Sequence, residues 1–226
     1  MSVAFAGIAF DAFGTLFDLA GLIPRIVRRV GERGGSVFEG FAARLVPYTW
    51  HLTASECYRP LPRVAQSALL AAAREAGVTL DEKGARELAG GLIELPAYPD
   101  VAPMLEGLAG TPLAVLSNGT GEGVEALVTA AGLRERFDHL LAADQVGRFK
   151  PAPEVYALAP MAFGAESDGD VLLVSAHEWD VAGAQAAGLR AALVAREGAP
   201  TGFLGHEPDI VVDTLAALPE AVRLPA

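Results

Sequence analysis

The sequence predicts an α/β fold: a doubly wound parallel sheet with an inserted helical layer. Three observations carry that expectation. Short unbroken apolar runs recur along the chain, helical patterning separates most of them, and one long stretch after the first run has helical patterning but no strand. Apolar runs of this length without alternation suit strands covered on both faces. Strand–helix alternation implies right-handed crossovers into a parallel sheet. The 226 residues, 52% hydrophobic and 20% charged, suffice for one large domain or a core with a small insertion, and they exclude a disordered chain.

In chain order, residues 3–10 (VAFAGIAF) read as a buried strand. Helices follow at 19–32, 36–58, 62–77 and 81–95, and Pro47 is expected to bend or shorten the second of them. Strands at 113–116, 140–143, 171–174 and 191–194 then alternate with helices at 121–131, 153–163 and 181–187. Residues 210–212 (IVV) suggest an edge strand. The expected division is a core of residues 1–18 and 96–226, with residues 19–95 forming a helical cap over the sheet's carboxyl edge.

Composition narrows the function classes. A net charge of −11 speaks against a nucleic-acid binder, which needs clustered Lys and Arg. Lysine occurs only at Lys83 and Lys150. The lone Cys57 forbids an internal disulfide and any multi-cysteine zinc site, which suits a reducing compartment. Mean hydropathy is +0.34, yet no run approaches the ~20 apolar residues of a membrane span. Residues 1–11 lack the basic leader of a signal peptide. The expectation is a cytoplasmic protein without membrane or nucleic-acid partners.

Ligands of open α/β sheets bind at the carboxyl ends of the strands. Each strand is followed there by polar groups: Asp11 and Thr15 after the first, Ser117 and Asn118 after the second, Lys150 shortly after the third, and Ser175, His177 and Asp180 after the fourth. A carboxylate at such an edge can act as a nucleophile, forming an ester that water cleaves. A nearby lysine keeps it ionised. Ser117 and Asn118 at a helix N-terminus offer donors to an anion, and Asp180 could orient water or pair with Lys150. Each residue also admits a plainer reading: Asp11 and Asp180 as helix N-caps, Lys150 as a solvated charge, Ser117-Asn118 as a turn.

The segments Phe10-Asp11-Ala12-Phe13-Gly14-Thr15, Leu116-Ser117-Asn118-Gly119, Lys150-Pro151 and Ser175 to Asp180 resemble the four motifs of the haloacid dehalogenase superfamily, in order and across essentially the whole chain. The branch most similar is the 2-haloacid dehalogenases. Phe13, Tyr156 six residues after Lys150, and Trp179-Asp180 match it. The resemblance implies a Rossmann-like core under a helical cap, a possible homodimer, and a small 2-haloacid as substrate. It implies that Asp11 attacks the halogen-bearing carbon and that Lys150, Asp180 and Ser175 assist. Thr15, Phe13, Ser117, Asn118, His177, Tyr156 and Trp179 would line the substrate site, with apolar walls extended by Leu45 and Leu61. No cofactor or metal is expected.

Departures from related phosphatases support that branch. Where those enzymes carry a second Asp as leaving-group acid, Phe13 stands here and cannot donate a proton. Where they carry a magnesium-binding Asp, Ala176 stands here. Two positions also depart from the dehalogenases. Their cap Arg, which holds the departing halide, is replaced by Ala42, with Arg44 about 200° further round the helix. Their usual Asn is replaced by His177, as in members resembling defluorinating enzymes. His177 is therefore expected to donate to halide, favouring fluoride, unless it is a structural histidine near Glu178. A phosphatase and a non-catalytic carboxylate binder remain as alternatives. The glycines at 119, 121 and 123 have the wrong spacing for a dinucleotide loop. Arg25, Arg28 and Arg29 read as a solvated helix face, and His51, His139 and His206 are too scattered for a metal site.

Overall fold

The computed structural model describes residues 5–196, 198 and 205–223. Its sheet consists of β1 (Gly7–Phe10), β2 (Leu113–Ser117), β3 (His139–Ala142), β4 (Val171–Ser175), β5 (Arg190–Val194) and β6 (Ile210–Val212). The strand order is β3-β2-β1-β4-β5-β6, and every pairing is parallel. Each apolar run thus becomes a strand for the expected reason: every residue of β1, β2 and β4 is buried. Burying one Phe or Leu of such a run contributes about 1.5–3 kcal/mol. The first strand starts at Gly7; residues 3 and 4 of the expected run lie outside the described residues.

The chain leaves β1 in opposite directions, to β2 and β3 on one side and to β4, β5 and β6 on the other. Such a switch opens a crevice at the carboxyl ends of the central strands. Phe10 stands opposite Val115 and Val174, so Asp11 comes level with Leu116 and Ser175 at one edge.

Between β1 and β2 the described chain is helical: α1 (Ile23–Val30), α2 (Gly34–Ala54), α3 (Leu61–Glu75), α4 (Glu82–Gly90) and α5 (Val101–Gly107), with 3-10 turns at 19–22, 31–33 and 91–94. Phe41, Leu45, Leu61, Val64 and Leu69 are buried where these helices meet. Pro47 does not shorten α2, which runs 21 residues straight through it. The ring removes the bond to the Ala43 carbonyl, but Ala43 is exposed and water can replace it. No helix among the described residues is long and apolar enough to cross a membrane.

The crossovers carry α6 (Gly121–Ala130), α7 (Pro153–Tyr156), α8 (Leu158–Phe163) and α9 (Glu178–Ala186), and α10 (Leu218–Ala221) follows β6. The expected single helix 153–163 is two, because Pro160 has no N–H for the Tyr156 carbonyl. Helix α9 begins at Glu178 rather than 181, which places Trp179 and Asp180 in its first turn. Two chain segments connect the sheet to helices α1–α4, and they pair with each other. Asp18 N–H donates to Pro96 O at 2.9 Å and Tyr98 N–H to Leu16 O at 2.9 Å, making a narrow antiparallel neck.

Candidate active site

Asp11 extends β1 by one residue, its N–H donating to Val174 O at 3.0 Å. The chain then doubles back, with Leu16 and Phe17 N–H both donating to Ala12 O. Gly14 makes this possible at φ +86°, and a Cβ there would meet His177 Nε2 at 2.8 Å. The reversal returns Thr15 to the strand end, where its hydroxyl donates to Asp11 Oδ2 at 2.9 Å and accepts from Ala176 N–H at 2.9 Å. The loop after β1 is thereby latched to the end of β4.

Lys150 reaches the same point from the loop after β3. Its backbone N–H donates to Asn118 Oδ1 at 2.8 Å. Its Nζ donates to Asp11 Oδ1 at 3.2 Å and to Asp180 Oδ2 at 2.9 Å. The Tyr156 hydroxyl donates to the other oxygen of Asp180 at 2.7 Å. Lys150 and Asp180 are 0% exposed and Asp11 is 6% exposed, so one ammonium faces two carboxylates out of water. Burial alone would push the Lys150 ammonium down, but the carboxylates of Asp180 and Asp11 outweigh it and hold it above the ordinary lysine range. Burial and then the Asp180 charge push the Tyr156 phenol well up, so it stays a donor. Gly183 makes room for that phenol; a Cβ would lie 2.4 Å from its oxygen.

Ser117 Oγ accepts from Gly119 N–H at 3.0 Å and Ser175 Oγ from His177 N–H at 3.2 Å. Each hydroxyl proton remains free to donate. Asn118 has its carbonyl oxygen taken by Lys150, which leaves its NH2 as a donor. Ser117-Asn118 is thus both a turn and a set of donors. Thr120 caps α6, accepting from Gly123 N–H, so the glycines there belong to a strand-to-helix turn.

His177 Nε2 lies 2.9 Å from Phe13 O and 3.8 Å from Asp11 Oδ2. A carbonyl only accepts, so Nε2 carries the proton. That nitrogen is therefore already engaged by the Phe13 carbonyl. The imidazole stacks on Trp179 at 5.8 Å, and Trp179 meets Trp50 of α2 edge-on at 5.5 Å. The two indoles thus extend outward from the imidazole that stands beside the Asp11 carboxylate.

Asp11, Phe13, Thr15, Ser117, Asn118, Lys150, Tyr156, Ser175, His177, Trp179 and Asp180 are thus grouped at one sheet edge, whereas Leu45 and Leu61, expected to extend its apolar walls, are buried between the inserted helices. The carboxylates of Asp11 and Asp180 are not helix caps, and Lys150 is not a solvated charge. Sequence reading missed Thr53, whose hydroxyl accepts from Phe149 N–H at 3.1 Å and docks α2 on the Lys150 loop. Nothing in the local sequence signals that contact. Arg44, two residues after Ala42, is turned to other partners: it pairs with Glu75 and donates to Gly40 O. Arg25 pairs with Glu94 and Arg29 with Asp81, as a solvated helix face should. Among the described residues no group of three His, Cys, Asp or Glu is placed to hold a metal.

A profile of haloacid dehalogenase-like hydrolases matches residues 5–188. The chain belongs to that family. Within the family, it is 34% identical to the (S)-2-haloacid dehalogenase of Pseudomonas sp. (strain YL), over 95% of this chain and 93% of that one. It is 30% identical to haloacetate dehalogenase H-2 of Moraxella sp. (strain B), over 93% of this chain and 95% of the relative. The structure of L-2-haloacid dehalogenase from Xanthobacter autotrophicus with chloropropionic acid covalently bound superposes with a TM-score of 0.90 at 31% identity. That match covers 98% of this chain and 100% of the other.

Proposed function

We propose that this haloacid dehalogenase-like hydrolase converts short 2-haloalkanoic acids to 2-hydroxy acids through an ester on Asp11. The observation that carries this reading is a buried carboxylate hydrogen-bonded by Lys150 and Thr15, with Phe13 where an acid for an alkoxide leaving group would stand. Halide leaves carbon without needing a proton, so no acid is required. Relatives named for 2-haloacid and haloacetate dehalogenation, and one holding chloropropionic acid covalently, support the substrate class.

In the first step an Asp11 oxygen attacks the carbon from the side opposite the halogen. The C–O bond forms as the C–halogen bond breaks, and the halide leaves with the electron pair. In the second step water attacks the Asp11 carbonyl carbon and the acyl–oxygen bond breaks. The products are the inverted 2-hydroxy acid, the regenerated carboxylate and one proton. Whichever Asp11 oxygen remains the ester carbonyl has a donor within 3.2 Å, Lys150 on Oδ1 or Thr15 on Oδ2, to meet the oxyanion. Asp180 has both oxygens engaged by Lys150 and Tyr156, which supports a role in fixing Lys150. Ser117, Asn118 and Ser175 supply free donors for the substrate carboxylate and the halide.

Residues 19–95 act as the cap in this reading, with Trp50 and Trp179 excluding stray water. A magnesium ion does not fit: the lysine ammonium already sits between Asp11 and Asp180, and Phe13 and Ala176 offer no side-chain oxygen. The decisive experiment measures halide release from fluoro-, chloro- and bromoacetate and both enantiomers of 2-chloropropionate. Release from the (S)-enantiomer is expected. Release from none of them, with hydrolysis of a coloured phosphoester instead, overturns the reading.

A further inference from the structure

We propose that Arg196 is a positioning residue for Asp11, acting through Thr15 from the base of the neck. The proposal rests on the dehalogenation reading for its kinetic consequences. Arg196 follows β5, two strands away from β1, yet its side chain spans both segments of the neck. On the outgoing segment, Nη2 donates to Thr15 O at 2.9 Å. On the returning segment, Nη1 pairs with Asp100 Oδ2, and the guanidinium lies 4.1 Å from the centre of the Tyr98 ring. Asp100 is itself anchored, for Thr214 Oγ1 donates to the same Oδ2 at 2.8 Å and Leu215 N–H at 2.9 Å.

Thr15 connects this clamp to the chemistry. Its carbonyl receives Arg196 and its hydroxyl holds Asp11 Oδ2 and the Ala176 amide, all on one fully buried residue. A shift of that carbonyl displaces the hydroxyl and with it the nucleophilic oxygen. A planar guanidinium suits the task because one nitrogen serves each segment, whereas an ammonium donates from a single point. The pair is also not an ordinary surface ion pair, since the side chains are only 21% and 12% exposed.

Arg196→Gln and Arg196→Lys test this in the full chain. For Arg196→Gln, kcat on (S)-2-chloropropionate should fall about 30- to 100-fold, the scale of a misplaced reacting group, with KM changed less than about threefold. Arg196→Lys should recover part of the loss. In a Thr15→Val background, Arg196→Gln should cost less than about threefold more, because the route to Asp11 is already cut. A folded Arg196→Gln or Arg196→Lys enzyme with wild-type kcat, or an undiminished loss in the Thr15→Val background, overturns the proposal. Hydrogen exchange gives a readout independent of turnover: the Ala176 amide and residues 96–98 should exchange faster in both Arg196 variants. Unchanged exchange there overturns the clamp. Faster exchange in a protein whose wild type releases no halide upholds the clamp and defeats only the dehalogenation reading. If Arg196→Gln fails to fold, Arg196→Lys carries every arm.

Discussion

Replacing Lys150 by Met removes the ammonium that separates two buried carboxylates. Nζ lies 3.2 Å from Asp11 and 2.9 Å from Asp180, and neither the lysine nor Asp180 is exposed to solvent. Each hydrogen bond to a charged partner contributes about 1.5–3 kcal/mol. Breaking a buried pair from one side costs about 3–5 kcal/mol, because the remaining charge is left without compensation. Met fills much of the vacated volume, so a cavity adds little. The expected loss near neutral pH is therefore about 4 kcal/mol, a large part of the roughly 5–15 kcal/mol that keeps a domain folded. Asp180→Asn added to Lys150→Met should restore more than half of the loss. The assay is guanidinium unfolding followed by far-ultraviolet circular dichroism. A loss under about 1 kcal/mol would show that Lys150 does not hold these charges together.

Asp11→Asn should abolish halide release while leaving the unfolding midpoint nearly unchanged; in a single turnover of wild type in heavy-oxygen water, label should enter Asp11, and label found only in the product hydroxyl would point to direct attack by water. Activity should survive exhaustive chelation, and a loss restored by magnesium would contradict the ammonium-centred site. Ala42→Arg with His177→Asn should shift preference from fluoroacetate toward chloro- and bromo-substrates; equal halide ratios before and after would show that neither position governs the leaving group. Stability should decline on the alkaline side, because Lys150, Tyr156 and Tyr58 are all raised, Tyr58 to about 12 by burial and the charge of Asp144. Their contribution is intact below the ordinary values of 10.0 for tyrosine and 10.5 for lysine and drains as pH climbs through the folded values. Asp100 and Asp209 are depressed, so theirs is intact above 3.8 and is lost as pH falls further. Melting temperatures across that range check both limbs, and Tyr156→Phe should flatten the alkaline one.

The sheet was legible because a strand buried on both faces cannot carry polar residues, so 113–116 and 171–174 announce themselves as apolar runs. The polar residues ending those runs were legible for the complementary reason: they emerge together where the parallel strands stop. Asp11, Lys150 and Asp180 could be placed at one edge from strand order alone. Residue type alone suggested Lys150 beside Asp11 and a pairing of Lys150 with Asp180; that one ammonium reaches both carboxylates at once depends on side-chain reach. Pro47 misled because proline's effect depends on whether the orphaned carbonyl faces water, and the exposure of Ala43 is a tertiary fact. Helices α5 and α10, of seven and four residues, are too short to show a period. The engagement of His177 by Phe13 follows from the tight turn at Gly14, and that of Arg44 by Glu75 from how α2 lies on α3. Arg196 and Asp100 are 96 residues apart, and no local pattern links them.

Trp50 and Trp179 are the chain's two tryptophans, and they touch each other. All of its indole emission therefore originates at the seam between α2 and the sheet edge, with an imidazole stacked on one of the rings. Photons from this protein report on a single place, the ring stack that leads to His177 beside Asp11. Arrival of an acid substrate, departure of a halide ion or a slight parting of α2 from α9 would each alter that emission. The enzyme thus carries a native optical probe, suited to following a single turnover by stopped flow without any added dye.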